Sequence, residues 1–376
     1  MNAYVVDAVR SPIGRKNGTL AAIRGDDLAA QVLNTLVRRN DLDPGAIEDV
    51  QMGCVTQIGE QGWNVGRMAV LAAGWPVSVA ATTVDRQCGS SMQTNFNAAA
   101  AVAAGQLDLV VSAGVEMMSR VPMGSNGGSL SDEVTSRHEI VMQGTSAELL
   151  AKEWGIGREP QDAYSLESHR RALAASDEGR FEREIVPVDL PDGRFILDEA
   201  ARRDTSLEKL AALAPAFQAD GTVTAGNSSQ IVDGSAAVLI ASERALQEHG
   251  LEPRARFVSF GLAGVDPTRM LHGNPEAIRN ALERAGLTLD DVDVIEVNEA
   301  FAVVVLQTVA DLNLEERMGD VNPNGGGISL GHPLGATGAR STATLLPELE
   351  RREARYGVAS MCVGFGMAIA AVVERL

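Results

Sequence analysis

Hydrophobic positions along this 376-residue chain come in two rhythms, short runs apolar on both faces and longer stretches with helical spacing. The segment from Met1 to Arg10 alternates as an opening strand does. Asp27 to Arg39 has the periodicity of a helix, Leu42-Asp43-Pro44 is a turn, and Ile47 to Gly53 is a strand. Much later the same order returns. Glu276 to Ala285 is helical, Leu289 to Asp293 turns, and Val294-Ile295-Glu296-Val297-Asn298 is a strand.

A second pair of segments extends the correspondence. Cys88 opens a helix of small residues that runs through Ala104 and leads into a buried strand, Leu107 to Gly114. Gly331 to Leu346 and Gly357 to Val363 follow the same plan. An internal repeat on this scale predicts a duplicated β/α unit, with doubly apolar strands central in sheets that helices cover on both sides. The fold class is therefore α/β, built from two half-domains with mixed sheets.

One region lacks a counterpart. Residues 119–221 begin with a Gly- and Ser-rich stretch, Gly124 to Ser131, and carry many charges between Glu148 and Arg183. They are expected to form an inserted loop domain. Thr224 to Gln230 returns the chain to an apolar strand, Ala236 to Ala241, so the N-terminal core domain is predicted to comprise residues 1–118 and 222–255. The C-terminal core domain is predicted over 256–376.

Composition narrows the functional classes. Apolar residues make up 45% but aromatics only 4%, which suits a closely packed core of small aliphatics. A formal net charge of −18 argues against general affinity for nucleic acid or an anionic membrane. Any anionic ligand then needs local basic groups. The three cysteines are too few and too far apart for a disulfide framework, none is paired as in a zinc site, and a reducing, cytoplasmic setting is expected. No leader pattern is seen at Met1 to Arg10. The longest apolar run, Met361 to Val373, is too short to span a bilayer and is expected to be a buried strand with a glycine turn.

Candidate chemistry lies at four points. Cys88 begins the predicted helix, where free N–H groups and the helix dipole favour a thiolate, although a small packed cysteine fits the local sequence equally well. His332 lies in a run rich in glycine from Gly325 to Gly338, with regular structure expected only from about Ala336. That run lacks the endings and spacings of nucleotide-binding loops, so an imidazole acting as base or oxyanion donor is the better reading. Asn298 and Glu299 follow a strand, where site residues and plain capping residues both occur. Cys362 ends a strand ahead of Gly364 and Gly366.

Together these segments resemble the thiolase family over nearly the whole chain. The carrying motifs are Asp85-Arg86-Gln87-Cys88-Gly89-Ser90-Ser91, Gly114-Val115-Glu116-Met117-Met118-Ser119 and Ala225-Gly226-Asn227-Ser228-Ser229. They continue with Asn298-Glu299-Ala300-Phe301-Ala302, the run from Gly326 through His332 to Gly338, and Cys362-Val363-Gly364. The resemblance implies a duplicated thiolase-like core and an acyl-CoA:acetyl-CoA C-acyltransferase working by ping-pong transfer. Cys88 would accept the acyl group and His332 would draw off its proton. Cys362 would move a proton at the α-carbon, Asn298 would join His332 at the enolate oxygen through a water, and the N–H groups of Cys88 and Gly364 would hold the other oxyanion.

The resemblance also implies that the insertion binds coenzyme A, with Arg202 at the nucleotide end, Arg203 an equally basic neighbour, and Ser229 at the pantetheine arm. Coenzyme A and acyl-CoA would be substrates, with no tightly bound cofactor and no metal, and the protein would be a homodimer or homotetramer. Two positions depart from the family pattern. Phe365 stands where many members have glycine, and Met142-Gln143 stands where acetoacetyl-CoA-specific members carry a His-Met pair. Thiolysis of 3-ketoacyl-CoA is the favoured reading. An acetoacetyl-CoA thiolase, a β-ketoacyl synthase and a non-catalytic acyl-CoA or sterol carrier are the alternatives.

Overall fold

The structure is a computed structural model and describes residues 2–376. Its strands are β1 (Ala3–Arg10), β2 (Gly14–Arg15), β3 (Asp49–Gly53), β4 (Ala80–Val84), β5 (Leu109–Met117), β6 (Val188–Leu190), β7 (Gly193–Phe195), β8 (Val232–Ala241), β9 (Ala255–Gly264), β10 (Val294–Val297), β11 (Tyr356–Val363) and β12 (Met367–Arg375). Except for the β6–β7 hairpin, all of them join one sheet. Its order is β10-β11-β12-β9-β1-β8-β5-β3-β4, with β2 beside β8.

The duplication is written in that order. Outward from the centre, β1-β8-β5-β3-β4 is matched by β9-β12-β11-β10, and the parallel pairing of β3 with β5 matches that of β10 with β11. Where the first half adds β4, the second has only a single parallel bridge from Ile295 to Val321. The two halves meet through Ala3 to Val5 of β1 against Ala255 to Phe257 of β9. Through that pairing the halves share one continuous mixed sheet.

Period-two alternation decides which core each strand residue enters. In β8, Ala237, Leu239 and Ala241 pack with helices Gly25–Arg39 and Val65–Ala72, whereas Ala236, Val238 and Ile240 face a central layer. In β12, Ile369, Ala371 and Val373 face that same central layer, and Ala368, Ala370 and Val372 pack with helices Asn274–Ala285 and Ala302–Leu312. The central layer is the helix pair Ser90–Ala103 and Thr337–Arg351. Gly338 lets them touch, since a Cβ there would strike the Met92 backbone.

The insertion contributes helices Asp132–Arg137, Gln143–Trp154, Arg158–Asp177 and Leu207–Ala211. The helix Arg158–Asp177 presses on the second half, where Tyr164 and Ser168 reach Glu299 and Ala172 packs on Leu330. Two sequence expectations change here. The run Met361 to Val373 spans two strands, β11 and β12, joined by Gly364-Phe365-Gly366. The helix expected to open at Cys88 begins at Ser90, with Gly89 as its N-cap. No helix among the described residues is long and apolar enough to cross a membrane.

Candidate active site

Cys88 sits in a turn two residues ahead of its helix, because Gln87 adopts a left-handed conformation, φ 45°, and is held by the Asp85 carboxylate accepting from its N–H at 2.6 Å. The sulfur is buried beside Val55, Met118 and Leu334. Two backbone donors point at it, the N–H of Cys88 itself and that of Gly364 from the second half. Burial outweighs them and pushes the thiol up to about 12. Of the two sequence readings of Cys88, this burial opposes the helix-stabilised thiolate and favours the protonated, packed thiol.

Cys362 is the penultimate residue of β11, one strand over from Asn298 at the end of β10. It packs with Met270, Leu271, Ala300 and Phe301. Burial first, and then the neighbouring Cys88, raises its thiol well above the ordinary range. The two cysteines, 274 positions apart (362 − 88), are thus electrostatic neighbours.

Asn298 is fixed by its N–H donating to the Ser360 carbonyl at 2.9 Å. Its side-chain Nδ2 lies 3.3 Å from His332 Nε2, while its Oδ1 is buried with no protein partner. A buried acceptor left open in this way suits a bound water or ligand. His332 is held on the backbone side by its N–H donating to the Gln230 carbonyl at 3.2 Å, and Gly331 precedes it at φ 98°. Burial, and next the Arg340 guanidinium, lowers its imidazole to about 3, so the ring is neutral. Leu334, two residues on, carries this loop to the side of Cys88.

The structure therefore draws Cys88, Gly364 and Cys362 together, and pairs Asn298 with His332. Ser229 lies close by, its N–H donating to the Ala300 carbonyl at 2.9 Å. Arg202 is further out on an exposed stretch, anchored by its N–H donating to His169 Nδ1 at 3.1 Å. The guanidinium of Arg203 is engaged by Asp177 at 2.9 Å, whereas among the described residues no carboxylate lies at ion-pair distance from Arg202, with Asp204 its nearest acidic influence.

Two carboxylates hold the loops in place: Glu116, to which sequence reasoning gave no role, and Glu299, which it left between site residue and cap. Glu116 accepts from the N–H groups of Val55 at 2.9 Å, Thr56 at 3.0 Å and Gly335 at 2.8 Å, tying the histidine loop to the first half. Glu299 accepts from Tyr164 and Ser168 at 2.7 Å each and from the Ile328 N–H at 3.0 Å. The signal was there: a glutamate at the end of an apolar strand cannot stay buried without donors.

Comparison with known proteins follows the same division into halves. Residues 3–244 match the profile of the thiolase N-terminal domain and residues 251–375 that of the thiolase C-terminal domain. A steroid 3-ketoacyl-CoA thiolase of Mycobacterium tuberculosis is 45% identical over 387 residues, covering 100% of this chain and 94% of that protein. A 3-ketoacyl-CoA thiolase of Aliivibrio fischeri is 46% identical, covering 100% and 99%. The crystal structure of an acetyl-CoA acetyltransferase of Bacillus anthracis superposes with a TM-score of 0.91 at 40% identity, covering 100% of this chain and 99% of its own.

Proposed function

From the premise that the chain belongs to the thiolase family and is an acyl-CoA C-acyltransferase, we propose that it cleaves 3-ketoacyl-CoA with coenzyme A through an acyl group carried on Cys88. The observation that carries this reading is the approach of the Gly364 N–H to the Cys88 sulfur, which puts two backbone donors where a thioester oxygen on that sulfur would develop charge. His332, neutral and buried, takes the Cys88 proton as the sulfur bonds to the acyl carbon. Cys362 supplies a proton to the acetyl α-carbon in cleavage and removes it in synthesis. Asn298 holds a water at its open Oδ1, and that water and His332 stabilise the enolate oxygen.

For coenzyme A, Arg202, with no carboxylate at ion-pair distance, is the better anion contact than Arg203, and Ser229 lies beside the Asn298 strand end where the pantetheine arm would enter. The domain division at 118, 222 and 256 is consistent with β8 lying between β1 and β5. A homo-oligomer and a cytoplasmic setting complete the proposal, together with a place in fatty acyl or sterol side-chain breakdown, which the names of its 3-ketoacyl-CoA thiolase relatives support. Coenzyme A-dependent cleavage of 3-ketoacyl-CoA substrates of increasing size is the test. The expected result is release of acetyl-CoA with the longer or bulkier acyl groups; turnover of acetoacetyl-CoA alone would replace this reading with the biosynthetic one.

A further inference from the structure

The helix Thr337–Arg351 starts just after the histidine loop, and its first residue turns back onto the imidazole. Thr337 Oγ1 lies 2.6 Å from His332 Nδ1 and 2.8 Å from the Pro333 carbonyl oxygen. A hydroxyl has one proton to give. With the carbonyl as its acceptor, only lone pairs remain for the ring, so Nδ1 carries the hydrogen and donates it to Thr337. On the opposite edge an amide N–H of Asn298 faces Nε2, which requires a bare nitrogen there.

Both contacts thus select one tautomer. The other would need the Asn298 amide reversed and the Thr337 proton withdrawn from Pro333, with one hydrogen bond fewer among residues that are all buried. On the Nδ1 edge one arrangement serves both charge states of the ring, whereas on the other edge a proton arriving at Nε2 displaces the Asn298 N–H. Thr337 accepts from Nδ1–H whether the imidazole is neutral or has gained a proton on Nε2, so a single anchored ring acts first as base and then as oxyanion donor. Arg340, one turn along the same helix, and the burial of the ring keep the uncharged form in the resting site, which is the form whose tautomer matters.

We propose that Thr337 is a positioning residue that holds the proton of His332 on Nδ1, so that Nε2 is the nitrogen exchanging protons with the reactants. The inference rests on the reading of His332 as the base. As the Cys88 sulfur bonds to the 3-keto carbon, its proton passes to Nε2 and the carbon–carbon bond breaks, the departing acetyl-CoA α-carbon taking a proton from Cys362; when coenzyme A sulfur takes the acyl group, its proton goes to the Cys362 thiolate, the S–C bond to Cys88 breaks and the proton returns from Nε2 to the Cys88 sulfur. Nδ1 keeps its hydrogen throughout.

The test is the pair of imidazole nitrogen resonances of His332 in protein labelled with 15N-histidine, identified by their loss in H332N. The wild-type spectrum is expected to show a protonated Nδ1 and a bare Nε2; the reverse pattern overturns the proposal, whatever the variants do. T337V is expected to populate the other tautomer and to lower kcat about 10–100-fold with KM for the thioester nearly unchanged, while T337S restores the tautomer and most of the rate. Loss of rate in both T337V and T337S alike, or a T337V that keeps the wild-type tautomer, refutes it. A changed tautomer at full rate also refutes it and removes His332 as the base, whereas retention of acyl transfer by C88A would sink the underlying reading with the tautomer left intact.

Discussion

The two halves of the sheet share a plan and divide the labour unequally. At the ends of β3 and β5 the first half places Cys54 and Glu116, both spent on structure: Glu116 gathers three backbone N–H groups. At the matching ends of β10 and β11 the second half places Asn298 and Cys362, whose polar atoms are left facing the site. The loops ahead of the two central helices are also matched, and each carries a reactive group, Cys88 in one and His332 in the other. Duplication built a symmetric frame, and the chemistry followed from which strand ends were kept free of structural duty.

The sharpest way to break this comparison is at its one covalent position. C88A is expected to abolish acyl-enzyme formation and to lower turnover on the order of 10,000-fold or more; mass spectrometry of the protein after exposure to acetyl-CoA reads the missing acetyl group directly. Cys362→Ala strikes the opposite half and is expected to separate the steps. Acetylation of Cys88 should survive while the carbon–carbon step falls about 100- to 10,000-fold, so normal condensation by this variant would move Cys362 from the chemistry into the packing.

Structural duty in the first half is tested through Glu116. Removing the carboxylate in E116A leaves three N–H groups of Val55, Thr56 and Gly335 without an acceptor in a fully buried place. A loss of about 3 kcal/mol or more is expected from urea denaturation. A loss below about 1 kcal/mol would mean that solvent reaches those groups and that Glu116 does not hold the loop.

The smallest effect concerns the two strained turns, one in each half. Gln87 at φ 45° and Phe365 at φ 66° are both left-handed without being glycine, and they flank the two donors that face the Cys88 sulfur. Phe365 is 49% exposed, so its ring adds little packing to offset the strain. F365G is expected to raise stability by about 0.5–1 kcal/mol, seen as a higher urea midpoint. A drop instead would show that the ring is held by contacts worth more than the strain.

Much of this was legible along the chain. Glycines and turn residues mark the ends of Ile47 to Gly53 and of Val294 to Asn298, and the four candidate segments are short and contiguous, three of them with glycine, so local reading found them. The clamps made by Glu116 and Glu299 were not legible, because their partners Gly335, Tyr164 and Ser168 are more than a hundred positions away. Nor was the setting of Thr337 against His332, five positions apart, since only the course of the loop brings the hydroxyl back to the ring.

By itself the sequence determined the duplicated β/α plan and the family, and it singled out the candidate reacting groups, since these depend on local periodicity and on side-chain chemistry. Tertiary structure decided the rest: that both halves share one sheet, that Arg203 and not Arg202 has a carboxylate at ion-pair distance, and that burial pushes the Cys88 thiol up to about 12. The reason is that the protonation of a group depends on how much water and which donors surround it. Those surroundings are assembled from strands and loops far apart in the chain.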